Sequence, residues 1–389
     1  MQLNKLYFFC LLTCSLSAVL DPFESHLPPD PNDYATIEDP SQHPAPQPPP
    51  LLPPAPPLRG SFDAHVLFDL ETLAQDFVLE TKQIEIPGFF GAFNPSIARW
   101  GNALVLSFRV RDPKTGLTHK FGLAQLDESF NLIGEPQVIE LPVNNPYHPS
   151  RFQDPRLVVI AGRLFITYSN VLEGKVPRDI RRMYFAEVRL KGGLFDVQSP
   201  ECISHFQGEH ELRWEKNWAP VDYNGHLFLV YSLNPHRIVA PIPGTGIAAT
   251  VSSTRAPIPW NWGDLRGGSP AIREGGEYLA FFHSSINMSS VHSEGKNIQH
   301  YFMGAYTFSL DPPFGITRIS EKPIIGQQFY HGRAYKTWKP LHVVFPAGFI
   351  SDEQYIWVIY GRQDFEIWVV KLDKQGLFNS LVPVSSVAE

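Results

Sequence analysis

The sequence predicts an all-β fold, a five-bladed β-propeller, from three observations. Short runs rich in Val, Ile, Phe, Tyr and Trp, bounded by Gly, Asn, Asp and Pro, dominate the chain beyond residue 60 and are typical of strands. Helical periodicity is weak, and the best candidate is LETLAQDFVLE near residues 70–80. Five segments also share one order of features: a polar cluster, a proline, a strand, a turn, a second strand and another polar cluster.

The N-terminal part is expected to precede the propeller domain. Residues 1–20, MQLNKLYFFCLLTCSLSAVL, place one lysine before a short apolar run. This pattern is typical of a secretory signal and is too short for a stable membrane span, so we expect an exported protein. The alternative is a buried or disordered terminal segment. Residues 21–58 are saturated with proline and are expected to form an extended, disordered linker, which leaves 59–389 for the propeller.

The five repeated segments are the main support for the propeller. Their prolines are separated by 60, 65, 50 and 76 residues, roughly one four-stranded sheet each, and are Pro95, Pro155, Pro220, Pro270 and Pro346. Residues 61–90 contain β-like stretches and are expected to supply a strand that closes the last blade. A β-sandwich is the alternative, but it does not explain polar clusters that recur with every segment.

Charge and geometry together predict a concave polar site. The net charge of −7 argues against a nucleic-acid partner but leaves room for one small basic pocket. In a propeller the innermost strands meet around one axis, so polar groups at equivalent strand ends converge. These groups are Asp154, Arg109, Lys216, His236, His283, His342 and Asp364. A carboxylate, cations and histidines in one cleft are typical of catalysis.

The five segments resemble motifs of the β-mannoside phosphorylases and related mannosyltransferases of glycoside hydrolase family 130, over roughly residues 90–375. QDPRL…FITYSN is similar to the motif that holds the family's catalytic aspartate, and EKNWAPV…LVYSLNPHRI is similar to the motif that holds a phosphate-binding lysine. The resemblance implies reversible, inverting transfer of a mannosyl unit between a β-mannoside and phosphate. Inorganic phosphate is then a co-substrate, and no cofactor is expected.

The resemblance also assigns roles to single residues. It makes Asp154 the proton donor, with a proton path through a sugar hydroxyl, and Asp364 a sugar-contacting acid. It places four residues around phosphate: Arg109, Arg182, Lys216 and His283. Many family members have a glutamate before the aspartate, where this chain has Gln153. The alternative for Asp154 is a turn-capping residue paired with Arg151 or Arg156.

Other polar residues are candidates for binding an oligosaccharide or glycoside substrate: Asn94, Asn217, His236 and His342. No two of the candidate histidines have the short spacing of zinc ligands, so no metal site is expected. Trp218 is expected to pack between blades rather than against sugar. Glu215 and Glu366 are the candidate bases if the enzyme is instead an inverting hydrolase. A mannosyltransferase with another donor and a non-catalytic, sugar-binding propeller are further alternatives. The sequence indicates no oligomeric state.

Overall fold

A computed structural model describes residues 67–111, 120–141, 152–173, 180–206, 214–332, 335 and 339–389. The expected signal segment 1–20, the linker 21–58 and the start of the propeller at residue 59 lie outside these ranges and stay predictions, and Arg151 lies outside them too. Within the described ranges, no helix has both the length and the apolar character needed to cross a bilayer.

Strands make up most of the described chain. The first half holds β1 (Val78–Ile84), β2 (Phe93–Trp100), β3 (Ala103–Val110), β4 (Lys120–Leu126), β5 (Leu132–Ile139), β6 (Gln153–Ile160), β7 (Arg163–Glu173), β8 (Ile180–Lys191), β9 (Leu194–Val197), β10 (Glu201–Ile203), β11 (His205–Phe206), β12 (Ala219–Tyr223) and β13 (His226–Leu233). The second half holds β14 (His236–Ile242), β15 (Ile247–Arg255), β16 (Arg266–Gly267), β17 (Ile272–Glu274), β18 (Glu277–Met288), β19 (Ile298–Ser309), β20 (Ile316–Ser320), β21 (Leu341–His342), β22 (Val344–Ser351), β23 (Tyr355–Arg362), β24 (Glu366–Asp373), β25 (Leu381–Pro383) and β26 (Val387–Ala388).

Helical structure is brief. A 3-10 turn spans Leu70–Leu73, and one helix, α1 (Lys374–Ser380), follows β24 with Asp373 as its N-cap. The segment 70–80, which the sequence marks as its best helical candidate, therefore forms a single turn and the start of β1. Strand pairing with β24 outweighs its modest helical pattern.

The described strands form five mainly antiparallel sheets, numbered here in chain order. Sheet I is β2-β3-β4-β5; sheet II is β6-β7-β8-β10, with β9 beside β8; sheet III is β12-β13-β14-β15-β11, with β26 beside β15; sheet IV holds β16, β17, β18, β19, β20, β21 and β25; sheet V is β22-β23-β24-β1. The expected all-β, propeller-like arrangement is confirmed.

The repeated prolines mark the first strand of each sheet. Pro95, Pro155, Pro220 and Pro346 lie in β2, β6, β12 and β22, and Pro270 lies between β16 and β17. The expected closing strand is also confirmed, because β1 pairs antiparallel with β24 at the outer edge of sheet V. Equal four-stranded sheets are not found, since only sheets I and V have four strands. The longer connections supply extra short strands elsewhere.

Packing links each sheet to the next. In β3, Leu104, Leu106 and Phe108 face an apolar cluster shared with sheet V, whereas Val105 faces a cluster shared with sheet II. A third cluster joins sheets II and III around Trp218, as expected for that residue, and a fourth joins sheets III, IV and V. The first strands are neighbours as well: β2 contacts β6 and β22, and β6 contacts β12. The starts of these strands therefore lie close together.

Candidate active site

Asp154 owes its position to an irregular strand start. Its φ is 53°, a region that non-glycine residues rarely adopt, and the pairing of β6 with β7 shifts between Gln153 and Arg156. Asn94 repeats this geometry in β2, with a φ of 46° and a shift between Phe93 and Ser96. Such bulges redirect side chains. Asn94 and Asp154 meet as a result, and Asn94 Nδ2 donates to Asp154 Oδ1 at 2.9 Å.

The carboxylate of Asp154 is buried among cations. It is 6% exposed, and Arg109 at the end of β3 donates to its Oδ1 at 3.3 Å. Burial raises the pKa of Asp154, but the charges of Arg109, Lys216 and Arg156 and the bond from Asn94 together leave the pKa below its usual value. Without a bound ligand, Asp154 is therefore an ionised carboxylate at neutral pH.

Arg156 organises the main chain around this carboxylate. It is fully buried, and its Nε donates to Gly268 O at 2.5 Å. Its two terminal nitrogens donate to Asp154 O at 3.0 Å and to Asn217 Oδ1 at 3.3 Å. Arg156 thus binds the main chain of Asp154 and ties sheet II to sheets III and IV. A Cβ at Gly267 would lie 2.0 Å from Asn217 O, so this close approach requires glycine.

Lys216 provides a second cation beside Asp154. Burial lowers its pKa, the charge of Asp154 opposes this, and Arg266, Arg181 and Arg109 lower the pKa further. Trp214, which is 53% exposed, makes cation–π contacts with two of these cations. The Arg181 guanidinium lies 5.2 Å and the Lys216 Nζ 5.7 Å from its ring centroid. Lys216 is therefore part of a group of cations that crowd one side of the carboxylate.

Arg182 and its neighbour Arg181 have different surroundings. Arg182 donates to the carbonyl oxygens of Ser204 at 3.4 Å and of Arg181 at 3.1 Å. The charge of Arg181, by contrast, acts on Lys216. Since side chains alternate along β8, one position in the strand decides which arginine joins the cation group. The structure brings Arg181 close to Lys216, whereas the bonds described for Arg182 go to two backbone carbonyls.

His283 lies in the site but is not a cation. Its Nδ1 is 3.0 Å from Gly267 O, a group that only accepts, so Nδ1 carries the proton and Nε2 carries a lone pair. Burial, together with the charges of Arg156, Arg266 and Lys216, lowers its pKa to about 3. A neutral acceptor is suited to a hydroxyl group, of a sugar or of protonated phosphate, rather than to a bare oxyanion.

Two other candidate histidines lie apart from Asp154's immediate surroundings. His236 packs against Tyr306 and Phe308 in the apolar core, and its Nδ1 is 2.8 Å from Phe314 O. His342 accepts from Gln363 Nε2 at 2.8 Å, and its ring centroid is 4.9 Å from that of His300. The pKa of each is lowered to about 4, chiefly by burial.

Asp364, in sheet V, lies on the same side of the molecule as Asp154 and close to Tyr301. Gln363 and Asp364 both have positive φ values, 56° and 50°, at the turn between β23 and β24. Arg111 donates to Asp364 O at 2.9 Å. Burial raises the pKa of Tyr301, and the charges of both Asp364 and Asp154 raise it further, so Tyr301 lies close to both acids.

The two candidate bases have structural partners. Glu366 is 8% exposed and accepts from Arg362 NH1 at 2.7 Å and Trp368 Nε1 at 2.8 Å. Glu215 is 5% exposed and accepts from Trp218 Nε1 at 3.1 Å. The largest influences on the pKa of Asp154 are burial, three cations and the bond from Asn94, and neither of these acids is among them.

Several residues of the site were not identified as candidates from the sequence. Arg156 was considered only as a turn partner, and four others were not singled out for binding: Arg111, Trp214, Arg266 and Tyr301. Arg111 and Arg266 belong to the polar clusters RVRD and RGGSP of the repeated segments. The repeat could therefore have identified both as candidates. Tyr301 lies in the middle of β19, where an aromatic residue is ordinary and gives no signal.

Comparisons with known proteins show a likeness of fold. No protein-family model matches the sequence, and no curated protein matches it. A mannose phosphorylase from Leishmania mexicana, solved in complex with a phosphate ion, is 12% identical with a TM-score of 0.53, over 81% of this chain and 93% of that one. A glycosyl hydrolase from Bacteroides ovatus is 14% identical with a TM-score of 0.50, over 77% and 87% of the two chains. The resemblance indicated by the sequence motifs is thus confirmed at the level of the fold.

Proposed function

We propose that this chain is a carbohydrate-active enzyme that moves a mannosyl unit reversibly between a β-mannoside and inorganic phosphate, with inversion. The observation that carries the proposal is the buried Asp154 carboxylate, which lies among the cations Arg109, Lys216 and Arg156, while the two candidate bases, Glu215 and Glu366, are bonded to tryptophan and arginine side chains. An inverting hydrolase needs a carboxylate base to activate water. A phosphorylase needs cations that hold its anionic nucleophile.

In the proposed reaction, Asp154 starts in its protonated form and gives its proton to the departing glycosidic oxygen, through a sugar hydroxyl. A phosphate oxygen attacks the anomeric carbon from the opposite face as the glycosidic bond breaks. The products are α-mannose 1-phosphate and the shortened acceptor. Arg109 and Lys216 hold the phosphate, Arg181 and Arg266 add positive charge, and His283 accepts a hydrogen bond from a hydroxyl group. Asn94, Asn217 and Asp364 contact the sugar.

The lowered pKa of Asp154 supports a link between phosphate binding and proton transfer. Before phosphate binds, the cations act on the carboxylate alone and keep it ionised. A bound phosphate shares these cations and adds negative charge nearby, so the carboxyl group takes up a proton. Asp154 becomes an acid only when the nucleophile is in place.

The fold comparisons are consistent with this proposal and also define its runner-up. One neighbour is a mannose phosphorylase solved with a phosphate ion, and another is a glycosyl hydrolase. An inverting hydrolase is therefore the second candidate. We further propose that each of the five sheets is one blade of a closed propeller, and that residues 1–20 direct the chain to export.

The decisive experiment incubates the full chain with short β-mannosides, with and without phosphate. We expect mannose 1-phosphate with phosphate and no release of mannose without it. Lys216→Ala should raise the phosphate KM at least about tenfold, since a charge-assisted bond contributes about 1.5–3 kcal/mol. Lys191→Ala, exposed at the end of β8, is the matched control.

Two outcomes would reject the proposal. Mannose released at equal rates without phosphate would establish a hydrolase and direct attention to Glu215 and Glu366. Glycan binding without turnover in either direction would establish a sugar-binding module.

A further inference from the structure

We propose that Asp69, His292 and His331 bind one divalent cation of the zinc class, at a site separate from Asp154. The three residues come from the 3-10 turn before β1, from the loop between β18 and β19, and from the loop after β20. One ligand atom from each residue lies within 4.8 Å of those of the other two. Two imidazoles and a carboxylate are a set that zinc prefers, with a fourth position open to water.

The distance between the first two ligands suits a shared ion. His292 Nε2 lies 3.1 Å from Asp69 Oδ1. Two ligand atoms at the usual 2.0–2.1 Å from zinc stand about 3.3 Å apart at the tetrahedral angle. The rings of His292 and His331 are nearly perpendicular, at 81°, with centroids 4.5 Å apart, so the second imidazole is within reach of the same point.

The contacts of His292 place two acceptor atoms opposite each other in one of its two tautomers. Its side chain is fully buried, and Nε2 lies 3.2 Å from the Leu70 amide, which only donates, as well as near the Asp69 carboxylate, which only accepts. If Nε2 accepts from Leu70, two lone pairs face each other across 3.1 Å. If Nε2 donates to Asp69, the Leu70 amide loses this acceptor. Nδ1 is buried with no partner among the described residues. A cation between Nε2 and Oδ1 would bind both lone pairs and replace their repulsion with attraction, and the Leu70 amide would then need another acceptor.

His331 has the carboxylate partner that a metal-binding histidine usually has on its second ring nitrogen. Its Nδ1 lies 2.8 Å from Glu71 Oε2, which leaves Nε2 for an ion. Glu71 is held in place because it also accepts from the amides of Gln328, Tyr330 and His331 at 2.8–2.9 Å. A carboxylate that receives the second ring proton fixes the tautomer and orientation of the ligand. Asp69 is fixed as well, because its Oδ1 caps the 3-10 turn by accepting from Glu71 N at 2.9 Å.

The sequence gives no sign of this site, since its ligands are distant along the chain and lack the short spacing of zinc motifs. An ion here would fasten the segment before β1 to two loops of sheet IV. None of the ligands takes part in the proposed glycosyl transfer, so the two proposals can fail independently.

The experiment titrates Zn²⁺ into chelator-treated full chain against a chromophoric competitor, and repeats it with Co²⁺ to record its visible spectrum. We expect one Zn²⁺ per chain, an intense Co²⁺ band of tetrahedral type, and a higher Tm with Zn²⁺. Asp69→Asn keeps an oxygen that can cap the turn but removes the charge, and His331→Ala changes a residue that is half exposed. Each should weaken Zn²⁺ binding at least about tenfold. His226→Ala, exposed on β13, is the control and should bind as the unmodified chain does.

Binding of Zn²⁺ with unchanged affinity in both Asp69→Asn and His331→Ala would overturn the assignment, as would an unmodified chain that binds neither ion. Circular dichroism and Tm without metal identify a variant that fails to fold. In that event the other variant decides, because the two changes disturb different loops.

Discussion

Asp154 needs a proton to act as an acid, yet its surroundings favour the carboxylate. Replacing it with Asn keeps the bonding shape and removes the transferable proton. We expect turnover to fall by about 10²–10⁴, the usual contribution of a general acid. The Tm should fall as well, because the buried cations around residue 154 lose their counter-charge, so turnover is compared at a temperature at which the variant is folded. Steady-state phosphorolysis rates and a thermal melt are measured. Asp196→Asn, a change at an exposed residue of β9, is the control. Near-normal turnover would leave Asp154 with only a structural role.

The pH profile tests the link between phosphate and the Asp154 proton. Activity of a general acid is lost as pH rises through its pKa, and the cations hold that pKa down in the free enzyme. We therefore expect the alkaline limb of the rate for β-mannoside to move to higher pH as phosphate is raised. Lys216→Ala removes one pKa-lowering charge and should move the low-phosphate limb upward too. A limb that stays at one pH across phosphate concentrations and in this variant would contradict the coupling.

Single residues were predictable where the repeat places them at the ends of strands. Asn94, Arg109, Asp154 and Lys216 were candidates on this ground, and the structure brings them together. The neutral state of His283 was not predictable, since it depends on burial, on the Gly267 carbonyl and on three cations that are distant from it along the sequence. The sequence predicted His236 to lie in the site because NPHRI is a polar stretch, whereas the structure buries this ring beside Phe308.

Strand β1 pairs with the edge of β24. It therefore joins the start of the described chain to sheet V. Ile84 is its buried residue, 5% exposed, in the cluster between sheets I and V. We expect Ile84→Ala to lower the free energy of unfolding by about 2–5 kcal/mol, through lost burial and a cavity. Glu80→Ala, exposed on the same strand, should change it by less than about 0.5 kcal/mol. Denaturant unfolding measures both, and equal effects would mean that β1 is not anchored there.

The sequence predicted the main strands better than their number in each sheet. Paired apolar runs after each proline correspond to the first two strands of a sheet, and the strand before the first repeat was expected to close the last one. Short strands such as β11, β21 and β26 have two residues each, too few to show any period. Partners distant in the sequence create them, so local patterns cannot reveal them.

The packing of the sheets buries several histidines that the sequence presents as polar, and this makes the stability of the fold sensitive to acid. His236, His283 and His342 are 1%, 2% and 8% exposed, and burial lowers their pKa values to about 4, 3 and 4. In the unfolded chain a histidine has a pKa of about 6.5. Between about pH 6.5 and 4 the unfolded state therefore binds more protons, and the free energy of unfolding falls as pH falls.

The slope approaches about 1.4 kcal/mol per pH unit for each such histidine. His331 has the opposite effect on the pH dependence of the free energy of unfolding, because its bond to Glu71 raises its pKa. Its effect is smaller than the combined effect of the three buried histidines. We expect denaturant unfolding to show a lower free energy at pH 5 than at pH 7. His236→Asn keeps a donor near the Nδ1 position without the titration, and it should make the dependence shallower, whereas His226→Asn on exposed β13 should not. A free energy of unfolding that is equal at the two pH values would show that these histidines are accessible to protons in the folded state.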